Sequence, residues 1–135
     1  MEVRIRNRKD DMPLAAGMLA RFGAQYGLAA PVLHDLNVVL DDALHNIIAH
    51  GYDTGAESEI TIKLEHRQGE VVLLIEDCAR PFDPTAAPAP ELGASLHARE
   101  VGGLGIHFIR SLMDGVDYFR DGGINRLRLT KKTSA

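Results

Sequence analysis

The spacing of apolar residues changes several times along the chain, and each change marks an element. Glu2 to Arg6 alternates, with Val3 and Ile5 on one face, and predicts a short strand. Asp10 or Asp11 is placed to cap a helix that carries Pro13 in its first turn, runs to about Tyr26 and stops at Gly27. A second helix starts at Pro31. Leu33, Leu36, Val39, Leu40, Ala43, Leu44, Ile47 and Ile48 recur along it with helical spacing until about Gly51. Ile60, Ile62 and Leu64 then alternate with polar residues, Gln68-Gly69 reads as a turn, and residues 70–76 form a more fully apolar run. These two segments predict an antiparallel hairpin whose second strand is central in its sheet.

Periodicity fails over residues 78–103, which hold four of the six prolines. A structureless stretch longer than about 12–15 residues is a lid, a binding loop or a disordered segment. From Gly103, the residues Leu104, Ile106, Phe108, Ile109, Leu112 and Met113 fit a helix. Two strands follow, one from Val116 and one from Asn125, joined by an Asp121-Gly122-Gly123 turn. The order β-α-α-β-β-lid-α-β-β predicts an α+β two-layer sandwich with helices on one face of the sheet.

Composition narrows the classes of function. The 135 residues are 45% hydrophobic and carry a net charge of −4, as expected of a single domain spanning residues 1–135. Cys78 is the one cysteine, which excludes an internal disulfide and any multi-cysteine metal site. No apolar stretch reaches the roughly 18 residues of a membrane span, and the N-terminal MEVRIRNRKDD lacks an apolar signal region. The expectation is a cytoplasmic protein with neither membrane nor nucleic acid as its partner.

Three places can carry chemistry. Asp42, Asn46 and His50 stand at i, i+4 and i+8 on the long helix, which aligns them along a stripe expected opposite the apolar one. Taken alone, such a stripe is also what a solvated helix face looks like. Asp77 ends the apolar strand, where a carboxylate is either positioned or merely terminal. Val101-Gly-Gly-Leu-Gly-Ile leads into a helix N-terminus, whose free N–H groups and dipole favour an anion. It is neither a P-loop nor a dinucleotide fingerprint: no Gly-Lys-Ser/Thr follows, and Phe108 takes the third glycine position. His45 and His50 are five apart, which turns them to different sides of the helix and excludes a two-histidine zinc face.

Taken together, Asp42-Ala-Leu-His-Asn46, Asp77 and Gly103-Leu-Gly105 resemble, in order and spacing, the GHKL or Bergerat ATP-binding fold. Asn46-Ile-Ile-Ala-His50-Gly-Tyr52, Arg80-Pro-Phe-Asp-Pro84 and Val101 to Ile106 are most similar to the bacterial anti-sigma-factor serine kinases. The resemblance spans about residues 30–130. It implies a mostly antiparallel mixed sheet, a long ATP lid over about 78–103, and Mg-ATP as cofactor. Asn46 is then the magnesium ligand and Asp42 the catalytic carboxylate. Asn46, His50, Asp77, Ala79, Phe82, Arg99, Gly102, Gly103, Leu104, Gly105 and Ile106 form the ATP site. Arg99 is equally readable as a cation over the phosphates or as a solvated lid residue.

The implied function is a serine/threonine protein kinase that phosphorylates an anti-anti-sigma antagonist and sequesters a sigma factor, as a homodimer. The alternative is a partner-switching module that binds ATP without transferring phosphate. Two departures from the family pattern bear on this choice. Asp42 stands where the family carries Glu, one methylene longer. The adenine box D-x-G-x-G reads Asp77-Cys78-Ala79-Arg80-Pro81, so Ala79 adds a methyl where glycine lets a base approach or allows a special backbone angle.

Overall fold

The computed structural model describes residues 1–52, 55–80 and 109–133. Five strands form one sheet: β1 (Glu2–Arg6), β2 (Glu59–Arg67), β3 (Glu70–Asp77), β4 (Gly115–Asp121) and β5 (Ile124–Lys132), in the spatial order β1-β2-β3-β5-β4. All four pairings are antiparallel, so the described sheet contains no parallel pair and is not mixed. The apolar run of β3 takes the central position, as its composition predicts. Two helices, α1 (Met12–Tyr26) and α2 (Ala30–His50), pack on one face.

Alternation decides which side chains reach the helices. Val71, Leu73, Ile75 and Asp77 of β3 are buried, and Leu73 and Ile75 join Ile60, Ile62 and Leu64 of β2 in the core. From the helices, Met18, Leu19 and Phe22 of α1 and Leu36, Val39, Leu40 and Leu44 of α2 meet them at the expected i, i+3, i+4 spacing. Fully burying each of these large apolar side chains contributes roughly 1.5–3 kcal/mol. The other face of the sheet is polar and ionic, with Lys63 and Arg126 both paired to Glu76 at 3.0 and 2.9 Å.

Two local expectations need correction. Asp11 occupies the N-cap position of α1 but makes no capping bond. Its carboxylate accepts from the Arg6 amide (2.9 Å) and from Arg8 Nε (3.0 Å), closing the turn out of β1 instead. Asp42 and Asn46 are half-buried rather than solvated opposite the apolar stripe, while His50 at the end of α2 is exposed. The hairpin between β4 and β5 forms as predicted, with both Gly122 (φ 58°) and Gly123 (φ 79°) left-handed. Residues 109–112 are helical and belong to the predicted third helix; its earlier residues, and the lid beyond Arg80, lie outside the described residues. No described helix is long and apolar enough to cross a membrane.

Candidate functional site

The sheet places Asp77 at the end of its central strand, directly opposite Asn125 on β5, with Arg120 of β4 next in the same row. Asp77 and Asn125 are the two buried polar residues among those described, 5% and 4% exposed. Burying a carboxylate and an amide is costly unless both are hydrogen-bonded, and here they are bonded to each other. Asn125 Nδ2 donates to Asp77 Oδ1 at 2.9 Å and to the Ala79 carbonyl at 2.9 Å, with a longer contact to the Arg80 carbonyl at 3.3 Å. Asn125 Oδ1 accepts from Arg120 Nη1 at 2.7 Å and from the Tyr118 hydroxyl. Arg120 also donates to the Ala79 carbonyl at 3.2 Å.

The segment after Asp77 is held from the other side as well. The Ala79 amide donates to Asp77 Oδ1 at 2.8 Å, a side-chain-closed turn. The Arg80 amide donates to the Gly51 carbonyl at 2.9 Å, and Arg80 Nη1 to the His50 carbonyl at 3.2 Å. A guanidinium at the C-terminal end of α2 also opposes the negative end of the helix dipole. Residues 77–80 thus bridge the end of β3, the start of β5 and the end of α2.

Burial pushes the Asp77 carboxyl up from its ordinary value, and the bonds from Asn125 and Ala79, with the charge of Arg120, pull it back. Both hydrogen bonds described for this carboxylate fall on Oδ1. That arrangement holds one oxygen in place and suits the other to accept from a ligand N–H. Asp42 is likewise pushed up, by burial first and then by the neighbouring charge of Asp41, with His45 opposing. A carboxylate raised in this way is a better proton acceptor. Tyr52, just beyond α2, has a buried hydroxyl with no hydrogen-bond partner among the described residues. Ser58 and the Cys78 amide lie near it outside bonding geometry, and burial, followed by the charge of Asp77, pushes it up to about 12.

Ala79 behaves differently from what its place in the glycine box implies. It does not adopt a positive φ, and it is buried. Its methyl lies against Gly51, where a Cβ would come within 2.6 Å of it. Neither a special backbone angle nor an open glycine is therefore required at this position.

Of the residues assigned from sequence, Asp42 and Asn46 share the half-buried flank of α2. His50 closes that helix with its side chain exposed, and Asp77 and Ala79 lie in one hydrogen-bonded segment. Phe82, Arg99, Gly102, Gly103, Leu104, Gly105 and Ile106 lie outside the described residues. Cys78 is an exposed free thiol. Sequence reading passed over Asn125, Tyr118 and Arg120. The signal for Asn125 was its parity: it shares the inward face of β5 with Leu127 and Leu129, where a polar residue needs a partner.

Among the described residues, no group of three or more His, Cys, Asp or Glu side chains could cage a metal ion. A magnesium ion carried by phosphates would need no such cage. That ion keeps several waters and takes one or two protein oxygens, such as the neutral amide oxygen of Asn46. A buried carboxylate at a strand end likewise fits the amino group of a base.

Residues 5–131 match the histidine kinase-like ATPase domain family. The chain is 35% identical over 99 residues to the serine/threonine-protein kinase BtrW of Bordetella bronchiseptica, covering 73% of this chain and 70% of that one. It is 26% identical to an anti-sigma F factor of Clostridium botulinum, over 98% and 93% of the two chains. Among solved structures, a Mycobacterium tuberculosis chain holding RsbU and RsbW domains superposes with a TM-score of 0.67 at 14% identity. That match covers all of this chain and 33% of the other, and it supports the fold.

Proposed function

The chain belongs to the histidine kinase-like ATPase domain family, and on that premise we propose that it is a Mg-ATP-dependent serine/threonine protein kinase acting in partner switching. Its substrate would be an anti-anti-sigma antagonist, and its second partner a sigma factor or similar regulator, held by a homodimer. The observation that carries the reading is Asp77: a buried carboxylate at the end of the central strand, tied through Oδ1, whose Oδ2 would accept from an adenine amino group.

Bound Mg-ATP supplies the transferable phosphoryl group and the cation that neutralises charge during transfer. The chain's own residues bind and orient. Asp77 fixes the base, and Asn46 offers the magnesium a neutral oxygen. Asp42, one helical turn before Asn46 and raised by burial, takes the proton of the incoming serine hydroxyl, directly or through one water. His50, Ala79, Phe82, Arg99 and the Gly102 to Ile106 segment complete the nucleotide site in this reading.

The name of the Bordetella relative supports the kinase activity, and that of the Clostridium relative supports the sigma-factor partner. The shorter reach of Asp42 favours a second reading, a module that binds ATP and switches partners without transfer. Incubation with Mg-ATP and a candidate antagonist, read by intact mass, separates the two. Gain of one phosphoryl group on the antagonist, abolished by Asn46→Ala, supports the kinase. Tight ATP binding with no transfer supports the module, and no ATP binding overturns both.

A further inference from the structure

The inward face of β5 carries Leu127 and Leu129, and the next residue of the same parity is Lys131 rather than an apolar one. Its ammonium pairs at 2.9 Å with Asp35 of α2, and both side chains are largely covered, 18% and 24% exposed. The same Nζ donates to the Leu112 carbonyl at 2.6 Å. Leu112 ends the helical turn at residues 109–112, where the last carbonyls have no donor within the helix. One ammonium therefore ties together β5, α2 and the end of that turn. A well-packed apolar pair would hold α2 on the sheet as well as a covered ion pair does. What an apolar side chain cannot do is bond the Leu112 carbonyl.

The place of Asp35 on its helix gives this tie a direction. Asp35, Val38, Asp42 and Asn46 are all half-buried and follow one another in steps of three, four and four residues, so they line one flank of α2. Lys131 thus anchors Leu112 on the flank that carries Asp42, about 10 Å further along the helix at 1.5 Å per residue. The chain after Leu112 is pinned too: the Asp114 amide donates to the Thr130 carbonyl at 2.9 Å, and Asp114 Oδ2 accepts from the Lys132 amide at 2.7 Å. In the sequence, Gly105 precedes Leu112 by seven residues. We propose that Lys131 is a positioning residue for the phosphate end of the nucleotide: by joining Leu112 to Asp35, it fixes where the segment ending at Leu112 stands against Asp42 and Asn46. The assignment rests on the nucleotide-binding reading above and adds a residue that touches no part of the nucleotide.

The test titrates the full chain with Mg-ATP and with adenosine, which lacks phosphates, the weaker ligand being read by saturation-transfer NMR. Lys131→Met removes the tie. Losing a hydrogen bond to a charged group shifts docking of the turn by about tenfold, and apparent ATP affinity falls with the docked fraction. The ATP-to-adenosine affinity ratio should therefore fall about tenfold, with adenosine affinity within a few-fold of the wild type. Lys131→Arg keeps a donor for both oxygens and should recover most of the ratio. In Asp35→Leu/Lys131→Met no charge is left unpaired, so denaturant stability should return toward the wild type. The ratio should stay low, because the Leu112 carbonyl still lacks its donor. If Lys131→Met does not fold, as judged by circular dichroism, the double variant carries the comparison.

Recovery of the ratio together with stability in the double variant would reduce Lys131 to a packing role. Parallel losses for ATP and adenosine, or no change in either, would do the same. These results leave the nucleotide reading standing. A wild-type chain that does not bind Mg-ATP overturns that reading, and the assignment of Lys131 with it.

Discussion

The methyl of Ala79 rests against Gly51, at the end of α2, where a Cβ would lie 2.6 Å from that methyl and 2.5 Å from the Ile47 carbonyl oxygen. The two residues divide one space between them, and the Ala79 methyl is directed at the end of α2. Gly51→Ala forces both contacts and should destabilise the chain by about 1–3 kcal/mol, as overpacking does. Ala79→Gly in the same chain relieves only the methyl contact, so the double variant should recover part of the loss and the Ile47 carbonyl should retain the rest. Denaturant unfolding of the four chains gives the coupling directly. Ala79→Gly alone should leave Mg-ATP affinity within a few-fold.

Asp77→Asn separates binding from stability. An Asn at this position can accept from Asn125 and the Ala79 amide through its oxygen while its NH2 takes the place of Oδ2, so the network survives and the acceptor offered to a base is lost. Mg-ATP affinity should fall by about tenfold or more. Stability should move the other way. Because the folded carboxyl is raised above its ordinary value of 3.8, its stability contribution is fully present below that pH and is lost as pH rises through the raised value. Thermal unfolding should therefore show Asp77→Asn gaining on the wild type from pH about 4 upward and holding its advantage at neutral pH. An Asn variant less stable than the wild type at neutral pH would mean that the ionised carboxylate is better solvated by its partners than burial implies.

Asp42 is expected to affect transfer more than binding. Removing a general base typically costs about 10²–10⁴ in rate. Asp42→Ala should therefore lower phosphoryl transfer to an antagonist by that order, with Mg-ATP affinity changed only a few-fold. Asp42→Glu restores the family's reach and should transfer at least as fast as the wild type. Single-turnover transfer from labelled ATP, alongside calorimetric affinity, checks both. Loss of ATP affinity in parallel with rate would place Asp42 in the metal shell instead.

How far the site could be read from sequence follows from what each residue contributes. Strand and helix periods located β1, α1, α2 and both hairpins because burial of alternate or i, i+3, i+4 positions is a local pattern. Asp77 was legible as the polar end of an apolar strand. Asn125 was not singled out, because its meaning comes from strand register, which brings residue 77 beside residue 125. The direction of the Ala79 methyl is equally non-local, since Gly51, on another element, makes the room. The half-burial of Asp42 and Asn46 was missed because a helical wheel places residues relative to the helix's own stripe and leaves out what packs along its flank.

Tyr52 offers a test of the site's internal accounting. Its hydroxyl is buried beside Asp77 without a partner among the described residues, and an unsatisfied buried polar group costs about 1–3 kcal/mol. Tyr52→Phe removes the hydroxyl and keeps the ring, so the variant should be more stable by about 1 kcal/mol, a rise of a few degrees in Tm. The pH dependence provides a second check. The folded hydroxyl is pushed to about 12 from 10.0, so its contribution is intact below pH 10.0 and is lost as pH rises through about 12. The wild type should therefore lose stability relative to Tyr52→Phe across that alkaline window and nowhere below it. A Phe variant less stable at neutral pH would show that Ser58 or the Cys78 amide closes onto the hydroxyl in solution and that the group is satisfied after all.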